Sequence, residues 1–281
     1  MFKIVIDGGG DMPRGWAEEF EFQVIPINIH FKGVTYRQGA DLTDEDFYRT
    51  CDASPEIPKT SQPTPQQFID LYKKIANLGD TILSLHISSK LSGTFESAVL
   101  AARELVGQYH IIPFDTLSGS AALAYMAREV RLMDRAGESL QQILQRLEFI
   151  RRNIQIVLTL DTMEYARKSG RVKALQAAVA SILNVKPILT VREGVILMGE
   201  KVRTRRRSLE RIIEIMSERF GNREVNVAVV AARDPDVIQV LLEKVRQSLN
   251  CCEVIVTDLS IGVAANLGPG TAGLIAYPVK E

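Results

Sequence analysis

The stretch TILSLHISSKLSGTFESAVLAARELVGQYHIIPFD, residues 81–115, sets the fold of the first half of the chain. An apolar run of strand length ends in a polar loop, a helical pattern follows at 93–106, and a second apolar run closes the segment. A helix between two such strands usually joins parallel neighbours of one sheet. The same alternation extends to residue 160, so we predict an α/β domain with a mainly parallel sheet.

The flanking segments supply the other elements of this first domain. We predict strands at 2–7, 22–31 and 154–160, and helices at 43–51, 64–79, 118–136 and 138–151. Thr43 and the pair Thr64–Pro65 are typical of helix starts, and Gly79 is typical of a helix end. His30 and His110 fall in strand-like runs, so we interpret them as structural.

After Leu160 the elements become shorter and more varied. We predict helices at 163–171, 173–183, 208–220 and 235–249, and strands at 186–191, 194–199, 225–232, 252–259 and 273–279. Glu193 and Gly194 separate two short apolar runs, which is typical of a hairpin turn. This half therefore predicts a second α/β domain with a mixed sheet, and we divide the chain into residues 1–158 and 159–281.

Composition restricts the class of protein. The chain has 281 residues, 46% of them hydrophobic, which is enough for two folded domains. Its 34 basic residues balance its 34 acidic residues, which argues against nucleic acid as a partner. The three cysteines form no disulfide framework, no apolar run approaches the ~20 residues of a membrane span, and MFKIVIDGGG is unlike a signal peptide. These features favour a soluble, cytoplasmic protein.

Three polar loops of the first domain, residues 7–11, 88–92 and 115–120, follow predicted strands. In parallel α/β sheets, ligands bind beyond the carboxyl ends of the strands. The helix after SSKLSG begins near Gly93, and its free backbone N–H groups together with the serine hydroxyls favour an anion. Two interpretations of Ser92 stay open at this point: it binds an anion, or it only caps the helix.

Three further motifs also allow more than one interpretation. Thr60 and Ser61, in PKTSQPTPQQF, precede the helix start and therefore need a role other than capping. GPGTAG, residues 268–273, has the letters of a dinucleotide fingerprint, but only eight residues follow it, so a tight turn is the better account. KVRTRRRSLER, residues 201–211, is either a solvated helix start or a docking patch for a phosphate or an acidic partner.

Candidate catalytic groups are few. His86 precedes the serine loop, but a serine hydrolase also needs an acid that orients the histidine and a nucleophile within reach. No spacing of His and Cys is typical of a metal site. The residues alone therefore specify no catalytic group, no metal and no cofactor. A serine-dependent acyl hydrolase with Ser92 as the nucleophile stays an alternative.

Eight motifs together resemble the DegV family, whose better-understood members are the fatty-acid-binding subunits of bacterial fatty acid kinase. In chain order they are DGGGDMP, KTSQPTPQQF, HISSKLSGTFESA, DTLSGSAALAY, LDTMEYARKSGRV, LNVKPIL, GEKVRTRRRSLE and NLGPGTAGLIAYP. The resemblance covers nearly the whole chain. It implies two α/β domains with a ligand crevice between them, and a long-chain fatty acid in that crevice. It also implies that the protein binds lipid and is not itself an enzyme.

The resemblance also implies which residues hold the ligand. Thr60 of TSQP and Ser92 of LSGT stand where the family binds the carboxylate. The wider predicted ligand set adds Ser61, Gly93, Ser118 and Asn266. Arg171 and Arg203 are the predicted contacts to a partner or a phosphate. The predicted tunnel walls are residues 175–185 and 187–191.

The implied partners are the fatty acid and a separate ATP-dependent kinase subunit that phosphorylates it, with peripheral membrane contact left open. The chain has no Walker motif and would present the substrate without binding ATP. Family members commonly have Ser or Thr at the position of Gly8, Gly at that of Ser169 and His at that of Asn266. The Asn266 amide can donate to a carboxylate but cannot titrate, which favours binding over phosphoryl transfer. Another lipid-like carboxylate therefore stays an alternative ligand.

Overall fold

The computed structural model describes residues 1–172, 175 and 185–280. The chain forms two compact units. The first comprises Met1–Arg151 and Ser260–Gly262, and the second comprises Arg152–Leu259 and Val263–Glu281. The α/β fold class is confirmed, whereas the division after residue 158 stays a prediction.

The described strands and helices follow each other along the chain as predicted for an α/β protein. The strands are β1 (Lys3–Asp7), β2 (Phe22–Ile25), β3 (Asn28–Phe31), β4 (Val34–Arg37), β5 (Lys59–Ser61), β6 (Thr81–His86), β7 (His110–Asp115), β8 (Gln155–Thr159), β9 (Lys186–Arg192), β10 (Val195–Val202), β11 (Val225–Ala231), β12 (Cys251–Asp258) and β13 (Ala272–Pro278). The helices are α1 (Trp16–Glu19), α2 (Asp44–Asp52), α3 (Pro65–Ile75), α4 (Thr94–Glu104), α5 (Ala121–Arg135), α6 (Leu140–Asn153), α7 (Glu164–Ser169), α8 (Arg205–Phe220), α9 (Pro235–Ser248) and α10 (Ile261–Leu267).

The first unit is built on a four-stranded sheet with the order β2-β1-β6-β7. All of its strand pairs are parallel, which confirms the predicted parallel sheet. Phe68 and Tyr72 of α3 and Ala98 of α4 pack in one buried cluster with Val5 and Ile82 of the sheet. This packing removes the apolar face of each helix from water and fixes the loops that follow the strands.

The predicted single strand at 22–31 is wrong, because these residues form two strands in different sheets. Pro26 lies between β2 and β3 and has no backbone N–H to donate to a sheet ladder. β3 pairs antiparallel with β4 on one side and β5 on the other, in a three-stranded sheet that we did not predict. β5 has only three residues, too few to show a strand pattern in the sequence.

Side-chain caps fix the start of two helices in the first unit, as predicted. Thr43 Oγ1 accepts a hydrogen bond from Asp46 N (3.1 Å) at the start of α2. Thr64 Oγ1 accepts one from Gln67 N (3.2 Å), and Gln67 Oε1 accepts one from Thr64 N (2.8 Å), which completes a capping box for α3. The end of α3 was predicted too late, because the helix stops at Ile75 and Gly79 lies in the turn before β6 with a φ of 87°.

The second unit is built on a six-stranded sheet with the order β10-β9-β8-β13-β11-β12. Among the neighbouring strand pairs that the structure describes in this sheet, β11 and β12 are parallel and the others are antiparallel, so the predicted mixed sheet is confirmed. β8 and β11 are each antiparallel to β13 and therefore run in the same direction. Their carboxyl ends lie at one edge of the sheet, where the chain continues into Asp161 and Asp234 respectively.

The hairpin between β9 and β10 is also confirmed. Glu193 and Gly194 have φ values of 48° and 81°, the left-handed pair that a tight hairpin turn requires. Of the predicted helix at 173–183, all residues except 175 lie outside the described part of the chain. Helix α8 begins at Arg205, three residues before its predicted start. Among the helices in the described ranges, none is long and apolar enough to cross a membrane.

Candidate functional site

The three polar loops of the first unit meet at the carboxyl ends of its parallel strands. Ser120 N donates to Gly9 O (2.7 Å), which joins the loop after β7 to the loop after β1. Ser88 N donates to Ser118 O (2.8 Å), which joins the loop after β6 to the loop after β7. The polar loops that the sequence places in three separate segments therefore lie together at the carboxyl ends of the strands, as expected.

A buried network of four side chains underlies these loops. Nδ1 of His86 lies 3.1 Å from Asp7 Oδ2, and its Nε2 lies 2.7 Å from Ser84 Oγ. Tyr72 OH lies 2.7 Å from Ser84 Oγ. The Asp7 carboxylate only accepts hydrogen bonds, so Nδ1 of His86 carries the ring proton. Nε2 of His86 then accepts from the Ser84 hydroxyl, and the Ser84 hydroxyl accepts from the Tyr72 hydroxyl. Burial raises the pKa of Tyr72, so its hydroxyl stays protonated and acts as the donor to Ser84.

This network argues against the hydrolase alternative. Asp7 does orient His86, as a hydrolase requires, but the serine on the other ring nitrogen is Ser84, which is fully buried. Ser92 Oγ instead bonds Thr94 Oγ1 (2.8 Å). Both nitrogens of His86 are occupied, so this histidine cannot take a proton from Ser92. The acid, the histidine and the serine form a structural network of the core.

Ser92 stands just before helix α4 but does not cap it. The N-cap is Gly93, which has no capping side chain, and Ser92 Oγ accepts only a long hydrogen bond from Thr94 N (3.4 Å). The capping interpretation of Ser92 is therefore wrong. Ser92 is partly exposed, beside the amino end of an 11-residue helix whose backbone donors favour negative charge.

The TSQP segment reaches the same place from a different sheet. Gln62 lies against Gly93, where an added Cβ would come within 2.8 Å of Gln62 Nε2. This contact brings the segment of Thr60 next to the segment of Ser92, although the sequence separates them by more than 30 residues. Gln62 was not among the predicted site residues, because a glutamine after a serine gives no signal of its own.

Thr60 and Ser61 point to opposite faces of β5, since side chains alternate along a strand. On one face, Ser61 Oγ lies 2.8 Å from His30 Nε2, and His30 Nδ1 lies 2.8 Å from Thr35 Oγ1. On the other face, Thr60 is the partner of Ile29, which is fully buried. His30 is thus bonded within the sheet through both ring nitrogens, in agreement with its structural interpretation.

A second buried carboxyl group, Asp11, connects distant parts of the first unit. It accepts hydrogen bonds from the Ser120 hydroxyl and from Ser260 N (2.8 Å). Burial, opposed by these hydrogen bonds, raises the pKa of Asp11 to about 6, and the charge of Asp44 adds to the rise. Sequence reasoning missed Asp11 because 249 residues separate it from Ser260. Ser118, which was predicted, is buried in the adjoining loop.

The remaining predicted residues belong to the second unit. Asn266 is in α10 and half-buried. Arg171 follows α7, donates from Nη1 to Ser169 O (2.7 Å) and has a pKa lowered by burial. Arg203 is exposed after β10. Of the predicted tunnel walls, residues 187–191 lie in β9, and all of residues 175–185 except 175 and 185 fall outside the described part of the chain.

GPGTAG forms the turn between α10 and β13, as predicted. Gly268 and Gly270 have φ values of 91° and 69°, and a Cβ on Gly270 would lie 2.6 Å from that of Asp161. A strand rather than a helix follows, which excludes the dinucleotide fingerprint. In residues 1–172, 175 and 185–280, no group of three or more His, Cys, Asp or Glu side chains is placed to hold a metal ion.

Comparisons with known proteins agree on one family. The family model described as "Uncharacterised protein, DegV family" matches residues 1–279. A fatty acid-binding protein of Thermotoga maritima is 30% identical over 283 residues, covering 96% of each chain. A DegV domain-containing protein of Listeria innocua is 30% identical over 273 residues, again covering 96% of each chain.

Solved structures give the same result. A structure described as fatty acid binding of a DegV family protein from Thermus thermophilus superimposes with a TM-score of 0.89 at 29% identity, covering 99% of both chains. The agreement of motifs, fold and whole-length similarity shows that the chain belongs to the DegV family.

Proposed function

We propose that this protein binds a long-chain fatty acid whose carboxylate is held by Thr60 and Ser92. The observation that carries the proposal is the contact between Gln62 and Gly93, because it brings the two hydroxyl-bearing segments together in one compact unit. Relatives named for fatty acid binding, at 29–30% identity over nearly the whole chain, support the same ligand.

The chemistry of the segment fits a carboxylate head group. Hydroxyl donors and the first N–H groups of α4 stabilise negative charge, and hydrogen bonds to a charged group are worth ~1.5–3 kcal/mol each. An acyl chain of roughly 14–18 carbons contributes ~0.8 kcal/mol for each buried CH₂. The tail therefore supplies most of the affinity, and the hydroxyls supply orientation and selectivity for an acid.

The geometry favours binding over hydrolysis. A nucleophilic serine needs a general base within hydrogen-bond reach, and both nitrogens of His86 are bonded to Asp7 and Ser84. Ser92 keeps a partly exposed hydroxyl without that base. Such a hydroxyl serves as a hydrogen-bond donor to a bound carboxylate rather than as an attacking group.

The first experiment is native mass spectrometry of the purified protein, followed by organic extraction and identification of the released lipid. We expect a fatty acid of roughly 14–18 carbons in a ratio of one to one, the length for which burial of the tail gives ample affinity. A protein that carries no acid, and that also takes up none when fatty acids are added, contradicts the proposal.

We further propose that the protein presents the bound acid to a separate ATP-dependent kinase subunit, with Arg203 and Arg171 as contacts. Arg203 is exposed and its charge is available to a partner. The test is formation of acyl phosphate, trapped with hydroxylamine, when loaded protein is mixed with such a kinase subunit and ATP. Arg203→Ala should reduce the yield, whereas Arg206→Ala, whose arginine pairs with Glu210, should not. Equal yields from both variants contradict a role for Arg203.

A further inference from the structure

A half-buried arginine in the second unit has enclosed donor atoms that find no acceptor among the described residues. Arg205 is the first residue of α8, and its Nη1 and Nη2 atoms are enclosed without a hydrogen bond to any residue that the structure describes. Burial lowers the pKa of Arg205, against the charges of Asp161 and Asp234. Enclosing guanidinium donors without an acceptor costs free energy, and a bound anion would supply the missing acceptor.

The two acidic residues near Arg205 are bonded elsewhere. Asp161 Oδ1 lies 2.6 Å from Lys186 Nζ, in an ion pair. Asp234 Oδ1 accepts from Val237 N (3.1 Å) and so caps α9. Neither carboxylate forms an ion pair with Arg205, and their charges reach the guanidinium only at longer range.

A second unpaired donor lies at the same edge of the sheet. Thr159 is the last residue of β8 and fully buried, and its Oγ1 makes no hydrogen bond within the described residues. Its partner across the ladder is Ile188, which packs in one core cluster with Leu209 and Ile212 of α8. Paired residues share a face of a sheet, so Thr159 points to the face that α8 covers, at the edge from which the chain continues to Asp161.

Arg205 differs from the neighbouring arginines of α8, which form ion pairs. Arg206 pairs with Glu210 (3.0 Å), and Arg211 pairs with Glu200 (2.8 Å). Thr204 Oγ1 caps the helix by accepting from Arg207 N (3.2 Å). The backbone N–H groups of Arg205 and Arg206 form no hydrogen bond inside the described ranges, so they remain available at the positive end of a 16-residue helix.

We propose that this edge of the second unit binds a tetrahedral oxyanion, either inorganic phosphate or the phosphoryl group of a phosphate monoester. The Arg205 guanidinium, the Thr159 hydroxyl and the first N–H groups of α8 supply the donors. A planar guanidinium binds two oxygens at once, and the remaining donors match the further oxygens that a phosphate has and a carboxylate lacks. The site lies in the second unit and does not depend on fatty acid binding.

The test is calorimetric titration of the full-length protein with inorganic phosphate and with glycerol 1-phosphate at constant ionic strength, with acetate as the carboxylate comparison. We expect binding of phosphate, and a loss of roughly tenfold to a hundredfold in affinity for Arg205→Met and Thr159→Val. Arg207→Met is the matched control and should bind as the unchanged protein does, because the Arg207 side chain pairs with Glu214 and its N–H group is bonded to Thr204. Tighter binding of the monoester identifies a phosphoryl group of a larger molecule, and equal binding identifies the free ion.

Thermal unfolding without phosphate provides an independent readout. Because the enclosed Nη atoms of Arg205 lack an acceptor among the described residues, Arg205→Met should melt at the same or a higher temperature than the unchanged protein, and phosphate should no longer raise its melting temperature. Thr159→Val keeps the side-chain shape and serves if the arginine variant fails to fold. The proposal is overturned if the unchanged protein binds neither phosphate nor the monoester, or if both variants bind them as tightly as the control.

Discussion

Gln62 lies against Gly93, so closely that a Cβ at position 93 would come within 2.8 Å of the Gln62 side-chain nitrogen. One residue follows the short strand β5, and the other precedes helix α4. Their contact places the Thr60 segment beside the Ser92 segment and makes a shared head-group site geometrically reasonable. The backbone of Gly93 is not in the left-handed region, so a larger residue here would be limited by its contact with Gln62 and not by φ.

Gly93→Ala should weaken fatty acid binding more than it weakens the fold. The added methyl group meets the end of a flexible side chain, so Gln62 can move aside at small cost to stability, but its movement disturbs the proposed site. We expect affinity to fall by roughly tenfold, equivalent to ~1.4 kcal/mol, with little change in the midpoint of urea unfolding. Gly199→Ala is the control, because its Cβ would make an ordinary contact of 3.6 Å. Equal affinities for the two variants would contradict the role of this contact.

Asp11→Asn should change how stability depends on pH. The folded protein raises the pKa of Asp11 from 3.8 to about 6, so between these values the native state binds a proton that the unfolded state lacks. This contribution is present at low pH and is lost as the pH rises through about 6, a difference of ~3 kcal/mol.

The asparagine cannot titrate, so its free energy of unfolding should vary less between pH 4 and 6 and should exceed that of the unchanged protein above pH 7. Its amide can still accept from Ser260 N and donate to the Ser120 hydroxyl. Urea unfolding of both proteins across this range is the measurement, with the exposed Asp70→Asn as control. Parallel curves for Asp11→Asn and the unchanged protein would show that Asp11 does not titrate in this window.

Ser84→Ala should destabilise the fold without creating or removing reactivity. The change leaves the Tyr72 hydroxyl without its acceptor and His86 Nε2 without its donor, and each unsatisfied buried group costs ~1–3 kcal/mol. Urea unfolding should therefore show a loss of about 2–5 kcal/mol. A fluorophosphonate probe should label neither the unchanged protein nor this variant. Labelling of the unchanged protein at Ser92 would restore the hydrolase alternative.

The sequence predicted those elements whose patterns are long enough to recognise. The β6–α4–β7 segment, the capped start of α3 and the hairpin at Glu193–Gly194 all have local signals, namely alternation, a capping residue and a glycine with positive φ. β5 has three residues and no such signal, and Pro26 divides a run that otherwise looks like one strand.

The candidate site was predictable only in part. The hydroxyls of residues 88–92 and 115–120 follow strands of one parallel sheet, and that rule alone places them together. The Asp11–Ser260 bond spans 249 residues and leaves no trace in local patterns. The basic run of α8 is equally uninformative, because only the fold separates the paired Arg206 and Arg211 from Arg205, which has no partner in the described part of the chain.

The most direct measurement compares the affinity of the protein for stearic acid and for methyl stearate, which keeps the tail but lacks the charged head. We expect the unchanged protein and Ser89→Ala, a change on the same loop, to prefer the acid by roughly tenfold to a hundredfold. Thr60→Ala combined with Ser92→Ala should bind both lipids with similar affinity. If the double variant keeps the full preference for the acid, the carboxylate is held elsewhere and the central claim is wrong.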